Sequence, residues 1–188
     1  MGELYFNDVR PRSVKAFDQS GHVLHCGSFA AWLAPAYKIG WIAAGRYRTE
    51  VARTKMMLTL DTSPACQAVM AEFLAHGQVE RHLRRLRLAL AVRREVMTTA
   101  ISQSLPVGTR ITHPTGGFVL WVELPKGADS LKLYRLAFAR GVSIAPGPMF
   151  SARRRYRNCL RLNFGYASVQ DIRDGIRTLG QLIGRASS

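Results

Sequence analysis

Two polar residues stand where a side chain of their type is suited to binding an anion. Ser28 follows Gly27 at the end of a short apolar segment. Exposed backbone N–H groups at such a small-residue turn can bind an anion. Arg161 lies in the apolar segment Leu160-Arg161-Leu162. A buried guanidinium is costly without a negative partner, so we expect either a bound carboxylate or an internal salt bridge there.

Arginine dominates the charge of the chain. The 188 residues carry 27 Lys and Arg against 12 Asp and Glu, a formal net charge of +15, and 22 of the 27 are Arg. Basic residues are concentrated in a helical pattern over residues 78–104 and in the segment Arg153-Arg154-Arg155-Tyr156-Arg157. Each region has two interpretations, nonspecific nucleic-acid binding or a solvated basic surface, and no recognisable reader motif accompanies them.

The sequence has no pattern typical of a disulfide framework, a metal site or a membrane-spanning segment. Cys26, Cys66 and Cys159 form no C-x-x-C pair and have no histidine at zinc-finger spacing, so we expect buried free thiols and no metal site. No apolar run reaches the roughly 18 residues that span a bilayer, and the N-terminus lacks the regions of a signal peptide. The composition therefore predicts a cytoplasmic protein.

The elements that must position these residues alternate between strand and helix periodicity, as in mixed α/β folds. A long helix with an apolar stripe contains the predicted boundary between two domains, 1–95 and 96–188. The predicted strands are 21–28, 39–44, 110–113, 118–124, 142–145 and 159–164. The predicted helices are 46–60, 64–75, 78–104, 130–140 and 168–184.

Several segments resemble one family. The run GSFAAWLAPAYKIGW at 27–41 resembles the pattern G-S-F-S-K-x-L-A-P-G-x-R-x-G of MocR-type regulators, which are GntR-family transcription factors fused to a fold-type-I pyridoxal phosphate enzyme domain. HPTGGFVLW at 113–121, SIAPGPMF at 143–150 and NCLRLNFG at 158–165 resemble the same family's C-terminal region. The resemblance implies the C-terminal portion of an aminotransferase fold: the end of the large α/β domain over 1–95 and the small α+β domain over 96–188.

The resemblance also implies roles for individual residues. Ser28 and Lys38 would contact the phosphate of pyridoxal phosphate, and Arg161 would pair with the α-carboxylate of an amino-acid substrate. Lys38 stands where the family has Arg, so it keeps the charge but loses the planar fork that binds two oxygens at once.

The departure with the largest consequence is at position 31. The family's Schiff-base lysine falls there, and this chain has Ala31. Alanine supplies neither a covalent attachment nor a base, and we do not expect Lys38 to replace it. The resemblance therefore implies a truncated, catalytically inactive aminotransferase-like domain with no catalytic residue. The alternatives are a binding module for pyridoxal phosphate or an amino-acid carboxylate, and nonspecific nucleic-acid binding through the Arg-rich segments.

The remaining implications concern partners. In a full MocR protein the acidic segment that contacts the cofactor ring, the ring-stacking aromatic residue, most of the central sheet and the winged-helix DNA reader would precede Gly2. The resemblance thus implies that DNA is contacted only through that winged-helix domain. It also implies that a homodimer or a complementing chain completes the site.

Overall fold

The computed structural model of the chain describes residues 2–7 and 9–186. These residues form two compact units, Met1–Arg87 and Leu88–Ser188, called unit 1 and unit 2 below. The division between the two units falls inside the helix Val79–Ser104. The bounds of this helix agree closely with those of the predicted helix 78–104. No helix of the described residues is both long and apolar enough to cross a membrane.

Unit 1 contains a two-stranded antiparallel ribbon and helices. The strands pair in the register Ser28 with Gly40 and His25 with Ala43. A 3₁₀ turn over Pro35–Tyr37 lies in the connection between the strands. The elements of unit 1 are β1 His25–Ser28, β2 Gly40–Ala43, α1 Arg48–Thr59, α2 Pro64–Ala75 and the first turns of α3 Val79–Ser104.

A glycine in β1 allows one aromatic ring to lie directly on the ribbon. A Cβ added at Gly27 would be 2.6 Å from Nε1 of Trp41, its cross-strand neighbour. Only a residue without a side chain permits this close approach. The indole therefore covers the backbone that leads into the Ser28 turn.

Much of unit 1 presents apolar side chains to solvent. All four residues of β2 are exposed, and α1 contains no buried residue. Met57, Leu58 and Leu60 are each at least 78% exposed. A two-stranded ribbon is marginally stable in water because it lacks enough neighbouring strands and a covering layer. We therefore expect unit 1 to have low local stability.

We expect the low local stability of unit 1 to appear as faster native-state hydrogen exchange than in unit 2. Amide protons of β2 and α1 should exchange about 100-fold or more faster than those of the central strands of unit 2, because local opening exposes little additional apolar surface in unit 1. Peptide-resolved exchange monitored by mass spectrometry measures this ratio. Equal protection of the two units would contradict the low stability assigned to unit 1.

Unit 2 is a four-stranded antiparallel sheet with helices. The strand order is β3-β4-β6-β5, and the inward side chains Leu120, Val122, Leu160 and Leu162 are at most 4% exposed. The alternating partners point outward, as period-2 patterning requires. The elements are β3 Arg110–Ile111, β4 Val119–Glu123, α4 Ser130–Phe138, β5 Ala145–Pro146, β6 Cys159–Asn163 and α5 Val169–Ala186, together with the last turns of α3.

Helix starts in unit 2 follow the sequence signals. The Asp129 carboxylate accepts hydrogen bonds from the backbone N–H groups of Leu131 and Lys132, which caps α4. The Ser168 hydroxyl accepts from the Asp171 N–H at 3.1 Å, and the Asp171 carboxylate accepts from the Ser168 N–H at 3.2 Å. This reciprocal capping box begins α5 and confirms the predicted N-cap.

Some sequence expectations were wrong in detail. The predicted strand 142–145 overlaps the observed strand Ala145–Pro146 only at Ala145, because the chain passes from α4 through a turn that includes Gly141 and Val142. The thiol of Cys159 is buried, whereas Cys66 is half-buried and Cys26 is exposed on β1. Cys26 is exposed because the period-2 alternation of β1 places its side chain on the outer face of the two-stranded ribbon. The predicted helix over 64–75 is confirmed.

Candidate functional site

The polar residues of unit 1 lie around the connection between β1 and β2. The Phe29 N–H donates to the Ile39 carbonyl at 3.0 Å, which closes the segment between them. The Phe29 carbonyl in turn accepts N–H groups from residues 32, 33 and 34. Ser28 therefore directly precedes this closed segment, and Lys38 is the last residue inside it, before Ile39. Both side chains are exposed.

The Ser28 hydroxyl is set up to donate outward. Its oxygen accepts the Ala30 N–H at 3.2 Å, so the hydroxyl proton is available to an anion. Ser28 also lines a cavity of about 390 Å³ in unit 1. Arg10, Arg12 and Trp32 line the same cavity, whereas Lys38 does not.

The two arginines of this cavity were missed at the sequence level. Arg10 is paired with the carboxylate of Glu3, whereas the Arg12 guanidinium lies 4.5 Å from the ring centroid of Phe17. None of the ion pairs among the described residues involves Arg12. The tripeptide Arg10-Pro11-Arg12 was the available signal, but it lies 16 or more residues before Ser28. Ser28 and the two arginines line one cavity only because the chain folds back on itself.

Position 31 carries no reactive group. Ala31 is exposed in the turn that the Phe29 carbonyl organises, and its side chain is a methyl group. The neighbouring Trp32 packs edge-on against Phe29 with ring centroids 5.4 Å apart. No cluster of three or more His, Cys, Asp or Glu side chains suited to a metal ion occurs among the described residues.

Unit 2 places Arg161 in an aromatic setting. Arg161 lies on β6 directly opposite Trp121 on β4 and Ala145 on β5. Its guanidinium carbon is 4.8 Å from the ring centroid of Phe150. The Trp121 ring packs edge-on against Phe150 at 5.5 Å and against Tyr156 at 5.8 Å.

Arg161 is neither buried nor paired as a salt bridge. The residue is exposed on the outward face of the sheet, so the expectation of a buried guanidinium is corrected. No ion pair of the described residues includes it, which removes the internal salt bridge as an explanation. The strand alternation explains the correction, because Leu160 and Leu162 point inward and Arg161 must then point outward.

Cys159 has no nucleophilic role in this arrangement. Burial raises the pKa of its thiol, and the negative charge of Glu123 raises it further. The thiol therefore stays protonated at neutral pH, and a protonated thiol is a poor nucleophile.

The amino-acid sequence matches a known protein family. A sequence profile described as aminotransferase class I and II matches residues 2–179. The chain belongs to the class I and II aminotransferase family. Its relatives include HTH-type transcriptional regulators of Escherichia coli and Bacillus subtilis, which confirms the resemblance to MocR-type regulators.

Individual relatives match nearly the whole chain but less than half of their own length. The HTH-type regulator YdcR of Escherichia coli is 37% identical over 181 residues, covering 96% of this chain and 39% of that protein. Aromatic-amino-acid aminotransferase 1 of Thermococcus litoralis is 34% identical over 185 residues, covering 97% of this chain and 44% of that protein. The chain therefore spans about two fifths of the length of these relatives.

The fold is shared with solved aminotransferases. The crystal structure of Pyrococcus horikoshii kynurenine aminotransferase matches with a TM-score of 0.91 and 33% identity, covering all of this chain and 46% of that one. The alpha-aminoadipate aminotransferase LysN of Thermus thermophilus matches with a TM-score of 0.91 and 29% identity. The predicted fold class, an α/β portion of a fold-type-I pyridoxal phosphate-dependent aminotransferase, is confirmed.

Membership of the aminotransferase family implies pyridoxal phosphate as the cofactor. The residues of unit 1 are suited only to its phosphate group. The Ser28 hydroxyl and the Lys38 ammonium are donors of the kind that bind a phosphate. Position 31, which the resemblance to MocR-type regulators aligns with the Schiff-base lysine, carries a methyl group. A methyl group at that position does not fit a covalently attached cofactor.

Three of the six arginines in α3 make contacts with other groups of the described structure. Arg87 donates to Glu80 at 2.9 Å and covers the Tyr5 ring at 4.0 Å. Arg93 donates to the Gly165 carbonyl at 2.8 Å, and Arg94 donates to the Pro114 carbonyl at 3.2 Å. These contacts favour a structural role for these three arginines over a role in nucleic-acid binding. The exposed remainder comprises Arg81, Arg84 and Arg85.

The loop beside Arg161 is anchored through Asp129, which gives a testable pH dependence. Backbone hydrogen bonding from Lys132, then from Leu131, and the Arg157 guanidinium hold the pKa of the Asp129 carboxyl below its ordinary value. A lowered pKa contributes stability that is present above the ordinary value of about 3.9 and is lost as pH falls through the folded value.

We expect Asp129→Ala to destabilise unit 2 by about 1 kcal/mol at pH 7, because α4 loses its N-cap. Asp129→Asn keeps a side-chain oxygen for the cap and serves as the control for lost charge alone. Urea denaturation at pH 7 and at successively lower pH measures both. The difference between the natural chain and Asp129→Asn should shrink below about pH 3.9 as the natural carboxylate is protonated. A difference that grows in acid would contradict the direction of the shift.

Proposed function

We propose that the chain is a catalytically inactive aminotransferase class I/II-like domain of a MocR-type regulator. The observation that carries the proposal is Ala31 at the position of the family's Schiff-base lysine. In this family that lysine is both the covalent attachment and the proton-transfer base. General acid–base catalysis alone contributes roughly 10² to 10⁴ in rate, and a methyl group contributes none of it. Pyridoxal phosphate, when bound, would supply an electron sink, but the methyl group of Ala31 can neither attach it to the protein nor transfer a proton.

The other lysines offer no replacement. Lys38 lies at the far end of the closed segment, seven residues after Ala31 and directly before Ile39, whose carbonyl accepts the Phe29 N–H. Lys38 also adopts a left-handed backbone conformation with φ of 52° that ends the 3₁₀ turn. Its side chain is absent from the cavity that Ser28 lines. We therefore assign Lys38 at most a charge contribution toward a phosphate.

The experiment that tests inactivity uses the purified 188-residue chain with pyridoxal phosphate. Absorbance is recorded, borohydride is added, and the intact mass and labelled peptides are determined. We expect no imine absorbance band and no stoichiometric added mass. Amino-acid-dependent conversion of the cofactor should also be absent, with the Thermococcus litoralis aminotransferase as positive control. A stoichiometric adduct on one lysine, Lys38 above all, would overturn the proposal.

A second candidate function is noncovalent binding of pyridoxal phosphate or an amino-acid carboxylate. The unpaired Arg161 favours it, because a guanidinium with free N–H donors is suited to a carboxylate. In unit 1 the Ser28 hydroxyl proton has a similar availability for a phosphate. Saturable micromolar binding of pyridoxal phosphate that is lost in Ser28→Ala or Arg161→Ala would support this candidate. Unaltered binding in both variants would remove it.

Partners are proposed by the same reasoning. We assign specific DNA contact to the winged-helix domain of MocR-type regulators and not to residues 1–188. Nonspecific nucleic-acid binding through the exposed arginines remains the competing hypothesis, and it requires a steep salt dependence. A homodimer or a complementing chain would cover the exposed apolar residues of α1 and β2. A cytoplasmic location accords with relatives that are transcriptional regulators.

A further inference from the structure

We infer that unit 2 contains a binding site for a medium-length aliphatic carboxylate, in a cavity between α4, the end of α5 and the loop 125–129 that follows β4. The cavity has a volume of about 560 Å³, which is within the range of small-molecule sites. Neither Ser28 nor Arg161 lines it, so the site is additional to the groups considered for pyridoxal phosphate and an amino-acid carboxylate. It is called the loop–helix cavity below.

The walls of the loop–helix cavity are aliphatic. Leu124, which directly follows β4, is 1% exposed, and Leu133 of α4 is 5% exposed. Leu182 and Ile183 of α5 are each 7% exposed and line the same cavity. No aromatic side chain lines it among the described residues. A flexible apolar chain gains from burial against such walls, whereas a planar ring finds no ring to stack on.

The loop that closes one side of the cavity is held by hydrogen bonds. The Ala128 N–H donates to the Pro125 carbonyl at 3.3 Å, which makes a turn inside the loop. The side-chain amide of Asn158 donates to the Leu124 carbonyl at 2.7 Å and so ties the start of the loop to the segment before β6. A wall that is already fixed costs a ligand little ordering free energy when it binds.

Two lysines supply positive charge at the loop–helix cavity. Lys126 and Lys132 both line it, and both are exposed. Neither makes an ion pair within the described part of the chain. The buried walls and the exposed ammonium groups give the cavity an apolar interior and a cationic edge. A ligand that matches both parts has an apolar chain and an anionic head.

An acidic residue in the lining limits the head to a single charge. Asp129 lines the cavity, and its carboxylate accepts the N–H groups of Leu131 and Lys132 and pairs with Arg157 at 3.2 Å. Arg157 itself does not line the cavity. The head of a ligand therefore lies near two ammonium groups and one carboxylate. A second negative charge would be repelled by Asp129, so a carboxylate is favoured over a phosphate dianion.

The experiment measures binding of three probes to the full 188-residue chain by ¹H–¹⁵N NMR titration. Octanoate has the chain and the charge, butanoate has the same charge on a shorter chain, and octan-1-ol has the chain without the charge. We expect octanoate to bind at least about tenfold more tightly than butanoate, because each buried methylene contributes about fourfold. It should bind about threefold or more tightly than octan-1-ol, through the exposed lysines. The shifted amides should lie in 124–136 and 182–183.

Variants test the head and the chain separately. The double variant Lys126→Gln/Lys132→Gln should weaken octanoate about fivefold and leave octan-1-ol unchanged. Lys55→Gln is its matched control, because Lys55 is an exposed lysine of α1 in unit 1. Leu136→Gln should weaken octanoate and octan-1-ol alike, since Leu136 lines the cavity. Leu131→Gln is the control for that change, because both leucines are on α4 and are 39% and 36% exposed, and Leu131 does not line the cavity.

Circular dichroism establishes that each variant is folded, and several results would overturn the inference. Shifts confined to α1 and β2 would mean that octanoate adsorbs on the exposed apolar residues of unit 1. Equal affinities for octanoate and octan-1-ol, unchanged in the double lysine variant, would mean that the cavity does not select a carboxylate. Tighter binding of octyl phosphate than of octanoate would refute the limit to a single charge. Octanoate binding that is lost in Arg161→Gln would place the carboxylate elsewhere in unit 2. Catalytic inactivity is tested separately by the borohydride experiment.

Discussion

Gly147→Ala is expected to destabilise unit 2 by about 3 kcal/mol, the upper end of the usual cost of overpacking a well-packed site. A Cβ at position 147 would overlap the Tyr156 carbonyl oxygen and lie 2.8 Å from the Cys159 carbonyl oxygen. Both obstacles are backbone atoms, which cannot rotate away as a side chain could. The segment 156–159 would have to move, and it carries both Tyr156 and the start of β6.

The Gly147→Ala variant should therefore lower the urea midpoint of the chain. Gly175→Ala is the matched control, since its nearest neighbour is Val142 Cγ1 at 3.8 Å and it lies inside α5. That change should stabilise the chain by up to about 1 kcal/mol, the helix propensity difference between Gly and Ala. If both variants unfold at the same urea concentration, the close packing of Gly147 against Tyr156 is refuted.

The elements of unit 2 were predictable from the sequence because their local signals agree with their environment. Asp129 and Ser168 cap the helices that follow them, and both sit directly before helical apolar periodicity. Alternation along Cys159–Asn163 also identified β6 correctly. The same alternation already implied that Arg161 points outward. The expectation of a buried guanidinium treated the apolar neighbours as its surroundings, whereas in a strand they lie on the opposite face.

The composition of the sites was less predictable, because long-range packing determines it. Phe150 and Tyr156 approach Trp121 from a loop whose left-handed residues have no sequence signature, since neither is glycine or asparagine. Arg12 lines the Ser28 cavity only because residues 10–13 fold back beside β1. Sequence spacing describes neighbours within one element. It carries no information about which loops meet above a sheet.

A lysine introduced at position 31 should have the largest chemical effect of any single substitution. We expect Ala31→Lys, treated with pyridoxal phosphate and borohydride, to be labelled at position 31 about tenfold more than at any of the five natural lysines, because binding of the phosphate beside Ser28 would raise the effective concentration of the aldehyde near that amine. Ala31 is exposed, so the longer side chain can be accommodated. Peptide mapping after borohydride measures the distribution of the label.

The informative control is Ala30→Lys, which places the same amine one residue away on the same turn. Equal labelling of the two variants, or labelling spread evenly over all lysines, would show that Ser28 and its turn no longer direct a phosphate, and the binding candidate for unit 1 would fall. Transamination should stay at background in Ala31→Lys even when labelling is specific. A lysine alone supplies neither ring stacking nor a partner for the pyridine nitrogen of the cofactor. Restored turnover would instead mean that Ala31 was the only defect, and that residues 2–186 already hold everything else the reaction requires.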